Sequence, residues 1–471
     1  MTSEKKDKCG VFGIWGTPEA AHITYIAMYA QQHRGQESAG IAVSDGSSLS
    51  AHVGMGLVPE VFSGNKLDAL KGTAAIGHNR YSTTGSNKNC NAQPLLEEYI
   101  GGQIAVAHNG NLINASLLRR DYEERGHIFH TSTDTEVIIH LVASHHLSKA
   151  DPVAEALTHL QGAYSLVFLF HDRVEAVRDP WGWRPLVLGK TKEGCLCVAS
   201  ETVALDAIGA DFVREIEPGE IVTLSDEGIT SRRFASAQQP AHCIFEHIYF
   251  ANPSSRLFGD TVQIAREKMG EQLATEQPVE ADYVIPMPDS GRSAALGYAR
   301  SSGIPFREGI VPNRYVGRTF IQPTEKQRKA AVQLKLNVVG EVVKGKRIIV
   351  VDDSIVRGTT TRGKMQQLRR AGAEEIHLRI SSPPIRHACY FGIDFPDPKD
   401  LIATGRTVDE IRDFLGVDSL HYLTLEGLLG CVSRPKTDYC NACFSGLYRL
   451  EPTRPVTKMS LERHQQKLFT I

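Results

Sequence analysis

The segment RIIVVDDSIVRGTTT (residues 347–361) decides how the second half of the chain is built. Ile348 to Val351 make a short apolar strand that ends in adjacent carboxylates, Asp352 and Asp353. A loop with Arg357 and Gly358 follows, and then a run of threonines, Thr359 to Thr361, opens a helix. Backbone N–H groups of Gly358 to Thr360 can surround phosphate oxygens, threonine hydroxyls add donors, and the helix N-terminus adds positive potential. The paired aspartates supply hard oxygen acceptors for ribose hydroxyls or a magnesium ion. A strand that happens to end in two aspartates, followed by a plain turn and cap, accounts for less of this unit than a sugar-phosphate site does.

The flanking sequence extends the pattern. KGKRIIVVDDSIVRGTTTRGKMQQLRRAGAEEIHLRISSP reads as strand, loop, helix, strand, and ADYVIPMPDSGRSAALGYARSSG as strand, turn, helix. That alternation predicts a parallel sheet with helices on its faces, in which ligands gather at the carboxyl ends of the strands. In IPMPDSG, Ser290 and Gly291 can offer oxygen and N–H groups to a pyrophosphate; a plain turn explains them equally well. Between these motifs, Arg314 to Lys335 carries Arg314, Arg318, Lys326, Arg328, Lys329 and Lys335 against one acid, Glu325. This is either a solvated face or a flap whose cations neutralise a leaving polyanion. No GxxxxGK[ST] occurs, and GVFGIWG (residues 10–16) lacks the acidic ribose partner of a dinucleotide site.

At 471 residues the chain is too long for one ordinary domain. A polar stretch, FASAQQPAHC, divides it at about residue 238. The net charge of −2, with 41% hydrophobic and 23% charged residues, provides no global field for nucleic acid or an anionic membrane. No apolar run approaches the roughly 18 residues that span a bilayer. The opening MTSEKKDK has no apolar core of a secretory signal, so the cytosol is the expected compartment. Thiols stay reduced there, and some of the nine cysteines should be nucleophiles or metal ligands.

The first half is richer in strands: GIAVSD, GQIAVAHNG and GAYSLVFLF, with helical patches TEVIIHLVASHHL and DPVAEALTHLQ between them. Sheets with helices beside them, an α+β arrangement, are expected. Three polar clusters are expected at strand ends: GHNRYSTTG, AHNGN and TSTDTE. Arg80 can hold a carboxylate, Asp134 can accept from an ammonium, and Asn109 with the Gly110 N–H can make an oxyanion hole. This set suits a free amino acid whose side-chain amide is cleaved. Cys9 is the candidate nucleophile, and none of His33, His78 or His108 suggests itself as its base. An α-amino group, with a reference pKa of about 7.7–8.0, can serve, as the terminal amine does for threonine nucleophiles. While Lys8 is attached that nitrogen is an amide, so residues 1–8 are expected to be a leader that is removed. A frayed terminus before an ordinary buried thiol is the competing reading.

CGVFGIWG, QQHRGQESAGIAV, GHNRYSTTG, AHNGN, TSTDTE and RDPWGWRPLVLG together resemble the N-terminal-nucleophile glutaminase domain of class II amidotransferases. VVDDSIVRGTT resembles the phosphoribosylpyrophosphate (PRPP) loop of type I phosphoribosyltransferases. Joined with IPMPDSG and NRYVGRTFI, they make the chain similar to the glutamine PRPP amidotransferases from Cys9 to about residue 450. The resemblance implies an αββα glutaminase sandwich over residues 9–238, followed by an α/β phosphoribosyltransferase domain over 239–471. It implies 5-phosphoribosylamine made from PRPP and glutamine, opening purine synthesis. Cys9 becomes the nucleophile, Asn109 and Gly110 the oxyanion donors, and Arg80 and Asp134 the glutamine clamps. Asp352, Asp353, Ser354, Arg357, Gly358, Thr359, Thr360 and Arg318 would bind PRPP, and Ser290, Asp352 and Asp353 magnesium.

Cys440 and Cys443 form a C-x-x-C, and Cys243 and Cys389 stand beside polar or aromatic residues. A tetrathiolate site on these four suits zinc or an iron–sulfur cluster, zinc being favoured on spacing alone, and scattered core thiols explain the pattern equally well. One branch of the family carries a [4Fe–4S] cluster with cysteines in these contexts, which implies a structural or oxygen-sensing cluster here. The family also implies a homotetramer inhibited by purine nucleotides. A non-catalytic PRPP- or nucleotide-sensing regulator is the alternative; such a protein would need none of Cys9, Arg80, Asn109 and Asp134.

Overall fold

The computed structural model describes residues 9–81, 88–313, 336–394, 397–452 and 461. Residues 1–8 and the cationic stretch 314–335, with Arg318, lie outside the described residues.

Strands β1–β4 are Gly10–Trp15, Ser38–Ser44, Leu49–Met55 and Ala74–Arg80. β5–β8 are Leu95–Tyr99, Gly102–Leu112, Gly162–Leu169 and Val174–Arg178, and β9–β13 are Val187–Thr191, Leu196–Ala199, Ala210–Glu215, Glu220–Ser225 and Gly228–Arg233. Among the described residues they form two antiparallel sheets. One has seven strands, in the order β11-β9-β10-β1-β4-β2-β3; the other has six, in the order β13-β12-β8-β7-β6-β5.

The central strand β1 shows why the layers form. All six of its residues are buried. Alternate side chains leave opposite faces of a strand, so Phe12 and Ile14 meet Ala20, Ala27 and Met28 of the helix Ala20–Ala30. Val11 and Trp15 face the other sheet and join Ala105, Val167 and Val174. Gly13 points the same way, where a Cβ would lie 2.9 Å from Val167 Cγ1, so glycine permits the close approach of the sheets. Helices Ala115–Glu124, Thr135–His145 and Pro152–Thr158 cover the second sheet, bringing Tyr122, Val137, Ile138, Leu141 and Leu157 into one buried cluster with Tyr164 and Leu166 of β7. The result is the expected αββα sandwich. Each fully buried aliphatic or aromatic side chain of this kind contributes about 1.5–3 kcal/mol.

Beyond residue 238 the four strands Tyr283–Pro286, Arg347–Asp352, Glu375–Ile380 and Ser419–Tyr422 pair in parallel in that order. Helices Val262–Glu276 and Arg292–Ser302 cover one face, and Thr359–Arg370 and Val408–Leu415 the other. This is the expected phosphoribosyltransferase layer. The halves are joined by a buried cluster of Ile113, Ala163, Trp183, Ala241 and Phe391. His242–Cys243 also pairs in parallel with Tyr439–Cys440. Among the described residues no helix is long and apolar enough to cross a membrane.

Candidate active sites

Cys9 sits immediately before β1, 7% exposed, with Sγ 3.3 Å from the carbonyl oxygen of Tyr81. The thiol is pushed up to about 11 by burial, against the Tyr81 contact and the Arg80 charge, which both pull it down. Asp134 and Glu37 push it the same way as burial. No histidine stands among these neighbours. His33 Nε2 lies 2.9 Å from Glu201 Oε1, and His78 Nε2 lies 3.0 Å from the His108 carbonyl oxygen. Burial lowers His78 to about 3, so it stays neutral.

Arg80, 2% exposed, ends β4, and its Nη1 stands 3.9 Å from Glu37 Oε2. Asp134 is not at a strand end: it precedes the helix Thr135–His145. Its Oδ2 accepts from the Leu112 N–H at 2.9 Å, and its Oδ1 stands 3.7 Å from His108 Nδ1. Burial would raise the Asp134 carboxyl, but His108 and the Leu112 N–H outweigh it and the net shift is downward. A cation and an anion thus both act on the Cys9 thiol, an arrangement matched to the two charges of an amino acid. Asn109 and Gly110 lie near the carboxyl end of β6, as expected. Asn109 is 1% exposed, and its Nδ2 donor has no hydrogen-bond partner among the described residues. Such an orphan is expensive unless something else accepts from it. A Cβ at Gly110 would stand 1.9 Å from the Ala163 carbonyl oxygen, so only glycine fits.

A buried ionic network, which the short motifs do not reveal, lies behind Cys9. Arg34 donates through Nε to the Cys9 carbonyl oxygen at 3.0 Å and through Nη1 and Nη2 to Glu246 at 3.1 Å each. Nη1 also reaches Glu201, which accepts from the Asn252 N–H at 2.8 Å and Ser255 Oγ at 2.7 Å. Arg184 Nη1 closes on Glu246 at 3.3 Å. Arg34, Arg184, Glu201 and Glu246 are 1% exposed or less.

In the second half, Asp352 ends its strand as expected, and Asp353 and Ser354 follow at 1% exposure each. Asp353 Oδ1 accepts from Ser290 Oγ and Oδ2 from Ser354 Oγ, each at 2.6 Å, so both sequence-predicted loops meet at one carboxylate. Gly358, with φ +73°, caps the helix Thr359–Arg370. A Cβ there would lie 2.5 Å from Ile402 Cδ1. The N–H groups of Thr359 and Thr360 open that helix, where unpaired first-turn donors and the helix dipole favour an anion. Arg357 Nη2 meets Asp400 Oδ2 at 3.1 Å. Arg266 is a further buried cation the sequence does not single out. It donates to the carbonyls of His247 and Ala251 at 2.7 and 2.9 Å, and burial brings it down to about 10 against the pull of Asp353.

Cys243, Cys389, Cys440 and Cys443 line one cavity with Trp183 and Tyr448. Burial pushes Cys243 and Cys389 up to about 11 and Cys440 up to about 12, and raises Cys443 well above the ordinary thiol value. Cys443 is raised further by each of the other three, so the four thiols form one electrostatic group. Among the described residues no three Cys, His, Asp or Glu side chains converge tightly enough for a single metal ion. Four cysteines around one apolar cavity are a donor set that an iron–sulfur cluster accepts.

The sandwich with a buried cysteine acted on by a cation and a carboxylate, fused to a parallel sheet whose strand ends carry paired aspartates and a glycine-capped helix, has the features of a class II glutamine amidotransferase with a phosphoribosyltransferase domain. Residues 78–207 match a glutamine amidotransferase domain family. The chain is 50% identical over 458 residues to amidophosphoribosyltransferase 2 of Arabidopsis thaliana, covering 96% of this chain and 81% of that one. It is 48% identical over 451 residues to the amidophosphoribosyltransferase of Bacillus subtilis, covering 94% of each. A solved B. subtilis glutamine PRPP amidotransferase, complexed with ADP and GMP, superposes at a TM-score of 0.89, with 46% identity over 96% of this chain and 99% of that one. A structure described as the allosteric regulatory enzyme of purine biosynthesis gives a TM-score of 0.91 and 46% identity, over 97% of this chain and 100% of that one. The chain belongs to the amidophosphoribosyltransferase family, the enzymes of the first step of purine synthesis. The regulator alternative gives way to an enzyme.

Proposed function

We propose that the two centres divide one reaction, in which glutamine and PRPP become 5-phosphoribosylamine, glutamate and pyrophosphate. Removal of residues 1–8 frees the Cys9 α-amine, which takes the thiol proton as sulfur attacks the glutamine side-chain carbonyl. Arg80 holds the substrate carboxylate and Asp134 its ammonium. The oxyanion that forms is met by Asn109 Nδ2 and the Gly110 N–H. Collapse to a thioester expels ammonia with the proton returned, and water releases glutamate. Ammonia then attacks the anomeric carbon of PRPP and pyrophosphate leaves.

The observation that carries this reading is the buried Cys9 thiol, raised to about 11 and acted on by the charges of Arg80 and Asp134, with no histidine among the described groups that act on it. At the second centre the first-turn N–H groups of Thr359 and Thr360, the Gly358 cap and Arg357 receive the phosphates. Asp352, Asp353 and Ser354 receive the ribose, and Arg318 is a further cation for PRPP. Magnesium held through Ser290, Asp352 and Asp353 would supply positive charge for the leaving pyrophosphate. A [4Fe–4S] cluster on Cys243, Cys389, Cys440 and Cys443 would tie the C-terminal turn to the domain junction. A cytoplasmic homotetramer inhibited by purine nucleotides completes the reading; a relative solved with ADP and GMP supports the last point.

Cys9→Ala tests the division. Glutamine-dependent pyrophosphate release should vanish while ammonia-dependent release persists; loss of both, or of neither, contradicts two separable centres.

A further inference from the structure

Strand β6 carries Asn109 and Gly110, and the end that holds them is supported by a strand on one side only. β7 pairs with it from Ala105 through Leu112, but β5 leaves off at Val106. Among the described residues, β5 pairing ends there, and other elements meet that side of the strand from Ala107 onward. One hold is a side chain of the first domain, Gln93 Oε1, which accepts from the His108 N–H at 2.8 Å.

The second domain supplies another. Asn111 Nδ2 donates to the Tyr390 carbonyl oxygen at 2.9 Å. At Gly392, φ +97°, a Cβ would lie 3.0 Å from the carbonyl carbon of Gly110 and 3.1 Å from its oxygen. Between these two contacts the Phe391 carbonyl accepts from Arg184 Nη2, and the Phe391 ring stacks on Trp183 with centroids 4.3 Å apart. A three-residue turn of the phosphoribosyltransferase half is therefore gripped by Trp183 and Arg184, and touches β6 at two consecutive residues.

We propose that the Tyr390–Gly392 turn is a positioning element of the glutamine centre, with Gly392 and Asn111 its contact residues. It fixes Gly110 and Asn111, and so sets the direction of the donors at Asn109 and Gly110. The second domain thereby completes the oxyanion site of the first. Donors aimed at a developing charge act over a few tenths of an ångström, so a strand half-supported by its own sheet needs an outside hold. Glycine is required at 392 because the turn backs directly onto the Gly110 carbonyl. The proposal rests on the reading of Asn109 and Gly110 as oxyanion donors.

The test uses the full-length active enzyme with Gly392→Ala, Asn111→Ala and Asn109→Ala, assayed for glutamine- and ammonia-dependent pyrophosphate release in the same preparations. Glutamate γ-semialdehyde is the probe, because the hemithioacetal it forms with a thiol carries an oxygen where the oxyanion would sit. In Gly392→Ala and Asn111→Ala, the glutamine kcat should fall about tenfold, part of the roughly 100-fold cost of deleting a donor. KM for glutamine should stay within about twofold, as for an interaction made only in the transition state. Semialdehyde inhibition should weaken by about the same tenfold while glutamate inhibition and ammonia-dependent turnover hold. Wild-type glutamine kcat and semialdehyde affinity in both variants, beside a crippled Asn109→Ala, would overturn the positioning role alone. Parallel loss of both activities would overturn it in favour of a general folding role. Full glutamine turnover by Asn109→Ala would overturn the oxyanion reading, and the proposal with it.

Discussion

Arg34 donates to the Cys9 carbonyl oxygen through Nε and to both oxygens of Glu246, 212 residues further along the chain, through its two terminal nitrogens. The backbone of Cys9 is thereby tied to Glu246 in the second half of the chain. With Glu201 and Arg184 the network is fully buried, so its charges were taken out of water at considerable cost and depend on one another.

Glu246→Gln keeps the shape and removes the charge. It leaves Arg34 and Arg184 short of a buried counter-ion, and the loss in stability should be about 3–5 kcal/mol, as for breaking other buried pairs. Urea unfolding measures it; a change below about 1 kcal/mol would be typical of an exposed pair instead.

Asp134 sets a pH dependence with a definite sign. Its carboxyl is depressed, because His108 and the Leu112 N–H outweigh burial. A depressed carboxylate makes its contribution above its unfolded pKa, about 3.9, and loses it only as pH falls through the lower folded value. KM for glutamine should therefore stay flat as pH drops from about 7 to about 5. Asp134→Asn should raise KM about tenfold or more. A KM that climbs steeply between those pH values in the wild type would place the titrating group elsewhere.

Much of this architecture is legible in the sequence, for a physical reason. Local periodicity marks strands such as Gly162–Leu169 and helices such as Thr135–His145, because a buried face imposes its spacing. The unit around Asp352 to Thr361 is legible because strand, loop and helix are contiguous. Arg34, Glu246, Arg184 and Arg266 are not, although Arg34 lies inside the quoted QQHRGQESAGIAV. Their partners are distant in sequence, and a buried arginine looks like any exposed one until the domains are packed. Asp134 is marked by residue type, but its place before a helix rather than at a strand end is not. No short-range signal separates those cases.

Asp353 joins the two phosphate loops through Ser290 and Ser354. Asp353→Asn should cut PRPP turnover about 100-fold with either nitrogen source, in the range seen when a preorganised polar group is lost. Glutamine hydrolysis measured without PRPP should persist. Loss confined to the glutamine-dependent reaction would put Asp353 in the wrong centre.

The cysteine quartet predicts a brown protein under nitrogen, with about four irons per chain and Cys440→Ser devoid of them. Metal analysis and the visible spectrum decide it. Stoichiometric zinc in the active enzyme would contradict the cluster.

The central claim is that a liberated primary amine activates Cys9, and one comparison tests it most directly: glutamine hydrolysis by a chain that begins at Cys9 against a chain whose intact mass shows Met1–Lys8 retained. The chain beginning at Cys9 should be active, with a limb in its pH profile near the α-amine value of about 8. The longer chain should be inert toward glutamine yet still use ammonia. Equal glutamine hydrolysis by both chains would contradict the account.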